Sequence, residues 1–283
     1  MTLGAGEIRN LMAAHGLAPS RALGQNFVAD PNTVRRIARI AEVGPGDRVV
    51  EIGAGLGSLT LALAETGAAV TAVEVDRHLF PVLRTVVGPA GVRLVAGDAM
   101  KLDWNDVLAE PAGADGWVLV ANLPYNIATP LVADLLDEVP AIGRMLVMVQ
   151  KEVAERLAAA PGSRAYGSVS VKVAYWATAR VVAQVPAGVF IPRPNVDSAL
   201  VAIERRGRPA VDPAEVAAGP LFSVVGAGFA QRRKTLRRAL SGVVAPEALA
   251  DEKMWDAAGV APSARAEQLD VTAWGRLAAA ATT

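Results

Sequence analysis

Asn122-Leu123-Pro124-Tyr125 places a neutral amide oxygen, a backbone carbonyl and a flat phenol ring within four residues. Proline at 124 leaves the Leu123 carbonyl accessible, so two acceptors can hold the two hydrogens of one amine. An amine nitrogen whose lone pair is delocalised into an aromatic ring is a poor nucleophile, and two such acceptors draw it toward tetrahedral geometry. The exocyclic N6 of adenine is such a nitrogen. Tyr125 offers a face for an extruded base, which chemistry at the edge of a paired base requires. Asn122 is neutral and is not a general base; the proton leaves after the nitrogen has become cationic, and the sequence does not name its acceptor. In isolation Asn-x-Pro-Tyr is also an ordinary β-turn, so its setting decides.

That setting begins at Glu51-Ile52-Gly53-Ala54-Gly55-Leu56-Gly57, where glycines let a backbone approach a ligand and amides face it. The spacing is Gly-x-Gly-x-Gly, not the Gly-x-Gly-x-x-Gly expected for a dinucleotide pyrophosphate. Glu74 stands about twenty residues on, where a carboxylate accepts both ribose hydroxyls. Glu51 is placed to take a hydrogen bond from a cationic amino group, which a methionine moiety carries and a dinucleotide lacks; this points to S-adenosylmethionine. Asp98, at the end of the next strand, is positioned to meet an adenine amine, although alone it would be read as a turn residue. The stiff segment Phe190-Ile191-Pro192-Arg193-Pro194-Asn195-Val196 holds an extended path and is expected to present Phe190 to the other face of the target base. An aromatic buried beneath a loop is the alternative at Phe190.

Alternating strands and helices must position these residues. Strands are expected at 48–52, 69–73, 92–95, 117–121 and 145–149, with helices at 58–65, 77–87 and 127–136. Short apolar strands separated by amphipathic helices describe a parallel sheet covered on both faces. A helix precedes them from about Gly4 to Gly16, and another starts at Asp30-Pro31, an N-cap followed by proline. Residues 168–176 fit a strand and a helical face equally, while 181–185 and 196–203 read as strands that complete the sheet. Beyond Glu204-Arg205-Arg206-Gly207 the strand signals stop and an alanine-rich, proline-punctuated helical tail follows. The expected division is 1–206, including a helical arm over 1–45, and 207–283.

Over 283 residues, 52% hydrophobic, the chain is long enough for a large domain and a smaller one. It has no cysteine and only His15 and His78, so thiolate and clustered-histidine metal sites are set aside and no metal is expected. The first residues lack a secretory pattern and no apolar run approaches the roughly 18 residues of a spanning helix, so a cytoplasmic protein without membrane contact is expected. With 28 basic and 28 acidic residues the formal net charge is zero, and any nucleic-acid surface must be a local patch. Gln231-Arg232-Arg233-Lys234-Thr235-Leu236-Arg237-Arg238 is such a patch, read as one helix whose Leu236 and Leu240 face inward and leave the cations to phosphates.

With Leu23-Gly24-Gln25-Asn26-Phe27, the Gly53 loop, Glu74, Asp98, Asn122 to Ile127, Gln150-Lys151-Glu152-Val153, Tyr166-Gly167, Phe190 to Ser198 and Phe229 to Leu236 in hand, the chain resembles the ribosomal RNA adenine dimethyltransferases over nearly its whole length, and the bacterial small-subunit members most closely. The resemblance implies a Rossmann-like seven-stranded class I methyltransferase sheet with a small C-terminal all-helical domain, and makes 168–176 a helix. It implies cofactor contacts at Asn26, Val28, Gly53, Glu74, Asp98 and Asn122, to which the loop geometry adds Glu51 and Gly55. Asn122, Tyr125 and Phe190 would hold the adenine. Val28 departs from the leucine usual in the family. Arg21 is expected to join Arg232, Arg233, Lys234, Arg237 and Arg238 on the RNA, where the family often has two basic residues at 20 and 21. The implied substrate is a pair of adjacent adenines in the 3′-terminal hairpin of 16S ribosomal RNA on immature 30S subunits, each methylated twice, with a monomer as the default. The rivals are a 23S ribosomal RNA adenine N6-methyltransferase of the antibiotic-resistance type and a non-catalytic ribosome-assembly factor of the same fold. Protein glutamine methylation would prefer proline at Leu123, and DNA adenine methylation aspartate at Asn122.

Overall fold

The computed structural model describes residues 2–110 and 116–282. In chain order the strands are β1 (Phe27–Val28), β2 (Arg48–Ile52), β3 (Ala69–Glu74), β4 (Arg93–Ala96), β5 (Trp117–Asn122), β6 (Ile142–Gln150), β7 (Ala177–Val185), β8 (Phe190–Ile191) and β9 (Ser198–Arg205). The helices are α1 (Ala5–Ala14), α2 (Pro31–Ile40), α3 (Ser58–Ala64), α4 (Phe80–Val87), α5 (Trp104–Val107), α6 (Ala128–Glu138), α7 (Lys151–Leu157), α8 (Ser168–Trp176), α9 (Ala218–Ala230), α10 (Leu236–Ala239), α11 (Pro246–Ala250), α12 (Glu252–Ala258) and α13 (Val271–Thr282).

Seven strands form one sheet in the order β4-β3-β2-β5-β6-β9-β7. From β4 to β6 the neighbours run parallel, and β9 returns antiparallel to β6. This is the Rossmann-like seven-stranded arrangement that the resemblance implied. Chain order reverses between β2 and β5, where Ile52 pairs with Ala121. A crevice opens beyond the carboxyl ends of two such strands because their following helices leave on opposite faces. Both the glycine loop and the Asn122 segment emerge there.

The strands are apolar because both faces are covered. In β2, Val49 and Val50 are fully buried, and Glu51 is the charged exception among them. Asp30 caps α2 as expected, accepting from the Asn32 and Thr33 amides. β1 pairs antiparallel with β8, matching Phe27 to Ile191 and Val28 to Phe190, and so ties the segment before α2 to the proline-rich segment. Val28 and Phe190 share one apolar cluster with Val34, Ile37 and Leu200.

Several boundaries differ from the sequence reading. Residues 77–79 form a turn, and α4 begins at Phe80 because Asp76 caps the turn with its Oδ1 on the His78 amide and its carbonyl on the Leu79 and Phe80 amides. Residues 168–176 are helical, as the resemblance implied. β7 starts at Ala177, four residues before the alternating valines made a strand legible.

Contacts divide the chain into two compact units. One is Met1–Ala154 with Arg180–Glu204; the other is Glu155–Ala179 with Arg205–Thr283. The single cut near 207 differs from this division, since Glu155–Ala179 contribute Tyr166, Val171 and Tyr175 to the cluster of the second unit around Trp255 and Trp274. Tyr166 donates its hydroxyl to the Leu269 carbonyl at 2.9 Å and meets Phe229 edge-on at 5.8 Å.

The basic segment is not one helix. α9 ends at Ala230, a turn closes from the Lys234 amide to the Gln231 carbonyl, and α10 starts afresh at Leu236. Thr235 is extended, and the Leu236 and Arg237 amides donate to the Ala264 and Pro262 carbonyls. Those acceptors satisfy N–H groups that a continuous helix would have bonded internally, so the restart costs little.

Candidate active site

Asn122 is the last residue of β5. Its Nδ2 donates to the Asn26 carbonyl at 3.0 Å, so its Oδ1 is left to accept from elsewhere. The Leu123 amide donates to the Met148 carbonyl, and the Pro124 carbonyl takes the Ile127 and Ala128 amides at the start of α6. Among the described residues no donor meets the Leu123 carbonyl. Two unspent acceptors therefore stand one residue apart at the mouth of the sheet.

The glycine loop faces them across the crevice. Gly53, Gly55 and Gly57 all have positive φ, at 77°, 60° and 90°. A Cβ at Gly55 would lie 3.0 Å from the Phe27 ring, so only glycine lets the loop pass beneath the N-terminal segment. The Gly55 amide donates to Glu74 Oε2 at 2.7 Å, and the Asp76 amide to Glu74 Oε1 at 2.8 Å. The Glu74 carboxylate is thus oriented before any ligand arrives. Burial raises its pKa above the usual carboxylate range; the two amides oppose the rise and the charge of Asp76 adds to it.

Glu51 lies on the floor of the same crevice, 2% exposed, with Oε2 lacking a hydrogen-bond partner. Burial pushes its carboxyl up to about 8, the Thr60 hydroxyl drawing it partly back and Glu74 adding to the rise. Among the described residues two carboxyl groups line this crevice and no Lys, Arg or His does. A buried acceptor without a partner costs free energy that a cationic donor would recover. The residues present therefore fit S-adenosylmethionine: an orphaned acid for its ammonium group, a pre-oriented acid for its ribose, and a glycine loop for close approach.

Residues 23–28 line the opposite side. Asn26 Nδ2 bonds the Gly24 carbonyl, and Gln25 Nε2 bonds Asp76 Oδ2 at 2.8 Å while its Oε1 takes the Ser20 amide. Gly24, at φ 64°, packs so that a Cβ would stand 3.2 Å from the Pro124 side chain. The structure thus brings Asn26, Val28, Glu51, Gly53, Gly55, Glu74, Asn122, Leu123, Pro124 and Tyr125 to one crevice.

It leaves two expected residues outside. Asp98 bends the turn after β4, accepting the Met100 amide at 3.0 Å and standing 3.7 Å from the Lys101 ammonium group. Phe190 is 3% exposed inside an apolar cluster and does not line the crevice. It pairs with Val28 across β1 and β8, and its burial matches the alternative of an aromatic beneath a loop. Tyr125 is half-buried, and its hydroxyl lies 3.2 Å from Ser198 Oγ. Val75 lines the crevice yet is 47% exposed, an apolar side chain the sequence reading passed over. Its signal was available: a valine immediately after Glu74, the carboxylate expected to meet a ribose, where an apolar face can cover an adenine ring. Among the described residues no three His, Asp or Glu come together as they would around a metal ion.

The six expected RNA contacts separate into two groups. Arg232 is bound to Glu267 at 2.6 Å and to the Arg164 carbonyl, and Arg237 to Glu252 at 2.5 Å with its guanidinium 6.0 Å over the Trp255 ring. Arg21, Arg233, Lys234 and Arg238 are exposed.

The sequence model of a family described as ribosomal RNA adenine dimethylase matches residues 18–282. The chain is 50% identical over 282 residues to a ribosomal RNA small subunit methyltransferase A of Streptomyces coelicolor, covering 98% of this chain and 96% of that protein. It is 49% identical to the protein of the same name from Thermobifida fusca, covering 96% and 93%. Among solved structures it is similar to the 23S rRNA methyltransferase ErmE, with 26% identity, a TM-score of 0.65 and coverage of 91% of this chain and 100% of that one. A dimethyladenosine transferase from Plasmodium falciparum shares the fold at 22% identity and a TM-score of 0.70, covering 88% and 94%.

Proposed function

We propose, from the premise that this chain belongs to the ribosomal RNA adenine dimethylase family, that it transfers methyl groups from S-adenosylmethionine to N6 of two adjacent adenines in the 3′-terminal hairpin of 16S ribosomal RNA, dimethylating each during assembly of the small subunit. One observation carries the reading at the level of atoms. The Asn122 amide nitrogen is spent on Asn26, which leaves Asn122 Oδ1 and the Leu123 carbonyl as a paired acceptor at the crevice that holds Glu51 and Glu74.

The cofactor supplies an electrophilic methyl group on a sulfonium centre. Glu51 would hold its ammonium group, Glu74 its ribose hydroxyls, and Gly53 and Gly55 its close approach to the loop. Asn26 and Val28 would close the crevice over it, with Val75 against one face of its adenine and Asp98 reaching its adenine amine from the turn after β4. On the substrate side Tyr125 stacks the extruded base, and Asn122 with Leu123 accepts the N6 hydrogens, so the nitrogen lone pair is localised and aimed at the methyl group instead of being delocalised into the ring. The neutral Asn122 takes no proton. After the first methylation one hydrogen remains for two acceptors, so alignment in the second step rests more heavily on stacking.

Arg233, Lys234, Arg238 and Arg21 serve as phosphate contacts, while Arg232 and Arg237 are engaged within the second unit and steady it. The partner is the immature 30S particle in the cytoplasm, in keeping with the names of the relatives at about half identity. The likeness to a 23S enzyme is the specific ground for a second reading, in which naked 23S RNA is the substrate. Methyl transfer to immature 30S particles, read by mass spectrometry of the digested RNA, is expected to give dimethyladenosine. Transfer to naked 23S RNA alone would overturn the choice, and wild-type protein that binds 30S particles without methylating them would favour an assembly factor.

A further inference from the structure

The stretch from Phe190 to Ser198 does not line the crevice through Phe190, which is buried in an apolar cluster. It reaches the site at its other end. Ser198 opens β9, is 1% exposed, and lies with Oγ 3.2 Å from the Tyr125 hydroxyl. Its backbone is held in place: Ser198 pairs with Gln150 of β6, and the neighbouring Asp197 accepts the Lys151 amide through its carbonyl at 3.0 Å and the Ala187 amide through Oδ1 at 2.9 Å. By contrast, Tyr125 sits in the loop between β5 and α6, where backbone bonding resumes only at Ile127. A half-buried tyrosine ring on such a loop has more than one staggered rotamer open to it, and a hydrogen bond at its polar end selects among them.

We propose that Ser198 is the positioning residue that sets the plane of the Tyr125 ring for base stacking, and that its hydroxyl matters more for the second methyl transfer to each adenine than for the first. The proposal rests on the reading of Tyr125 as the stacking face. A buried hydroxyl at the start of β9 meets the rim of a ring carried on a loop, so the pair ties the ring plane to the backbone order of β9. In the first transfer two N6 hydrogens meet two acceptors, and hydrogen bonding alone constrains the amine. In the second a single hydrogen remains, one acceptor is left unused, and the orientation of the base depends on the surface against which it lies. Loss of the tether therefore shows as accumulated monomethyladenosine, an outcome that damage to the cofactor site or to folding would not select.

The test uses the full chain on immature 30S particles, with Ser198→Ala, Tyr125→Phe, the double variant and Tyr125→Ala compared by mass spectrometry over time. Ser198→Ala and Tyr125→Phe are each expected to slow the second transfer by about fivefold to tenfold, the loss of one hydrogen bond in the aligned state, and the first transfer by less. The double variant is expected to be no slower than either single one, since both remove the same bond. Affinity for S-adenosylmethionine by calorimetry should stay within twofold of the parent. Tyr125→Phe keeps the ring and touches no strand, so it carries the test should Ser198→Ala fold poorly. Wild-type product ratios in Tyr125→Phe, or additive losses in the double variant, would overturn the tether. Full activity in Tyr125→Ala would instead remove the stacking role itself, and the proposal with it.

Discussion

Glu51 shows how a single residue in an apolar strand announces a ligand. A glutamate between Val50 and Ile52 gains nothing from burial, and its Oε2, without a hydrogen-bond partner among the described residues, is the acceptor that the proposed function gives to the ammonium group. The consequence for stability follows from linkage. The folded protein keeps a proton on Glu51 between the ordinary value of 4.5 and about 8, whereas the unfolded chain gives it up. The stability contributed by the neutral form is complete below 4.5 and is lost as pH rises through about 8. Ligand-free protein is therefore expected to melt at a lower temperature at pH 8.5 than at pH 6, and Glu51→Gln to flatten that dependence while weakening S-adenosylmethionine binding. Thermal scans of both proteins across this range check it, and parallel pH curves would remove Glu51 from the account. Glu74 is a different kind of acid: its two amide donors hold it ready, so its burial is partly compensated within the chain. Glu74 was legible from its distance after the glycines, but the amides that orient it were not, since they belong to Gly55 and Asp76 on two loops.

At the scale of elements, the junction of β2 with α3 carries a tight constraint. Gly57, at φ 90°, would place a Cβ 2.6 Å from a Val87 methyl and 3.1 Å from a Leu83 methyl on α4. Gly57→Ala is expected to destabilise the protein by about 2–4 kcal/mol, combining a left-handed backbone with an overfilled contact. Urea titration measures it, and a loss under about 0.5 kcal/mol would show that α4 yields without cost. The strands of the parallel half were readable because apolar runs of that length between helical patterns have few other solutions. α8 was not, because its valines satisfy both periods and only its place in the Trp255 and Trp274 cluster decides between them. The basic segment failed for a related reason: a helical pattern over eight residues cannot reveal that the carbonyls of Pro262 and Ala264 are waiting for the amides of a new helix.

Over the whole molecule, equal numbers of acidic and basic residues mean that no broad field draws RNA to the protein. Attraction must come from the cations left free after internal pairing. Neutralising Arg233, Lys234 and Arg238 together is expected to reduce the slope of log affinity against log salt by about 2 to 3, each contact contributing about 0.7 to 0.9. Arg232→Gln or Arg237→Gln should change that slope little and cost up to about 1 kcal/mol of stability, as loss of a part-exposed ion pair does. Binding of a hairpin RNA across a salt series separates the two groups, and an unchanged slope in the triple variant would exclude it from phosphate contact.

The sequence by itself determined most of the residues that line the crevice. Acceptors, glycines and carboxylates each fall at the end of a strand, and strand ends follow from hydrophobic period and turn residues, which are local properties. Tertiary structure alone decided which side chains those residues meet. It spent the Asn122 amide on Asn26, 96 residues away, buried Phe190 against Val28, brought Ser198 to Tyr125, and paired Arg232 and Arg237 with glutamates. Such pairings join segments remote in sequence, and they depend on register and packing volume, which no local pattern encodes.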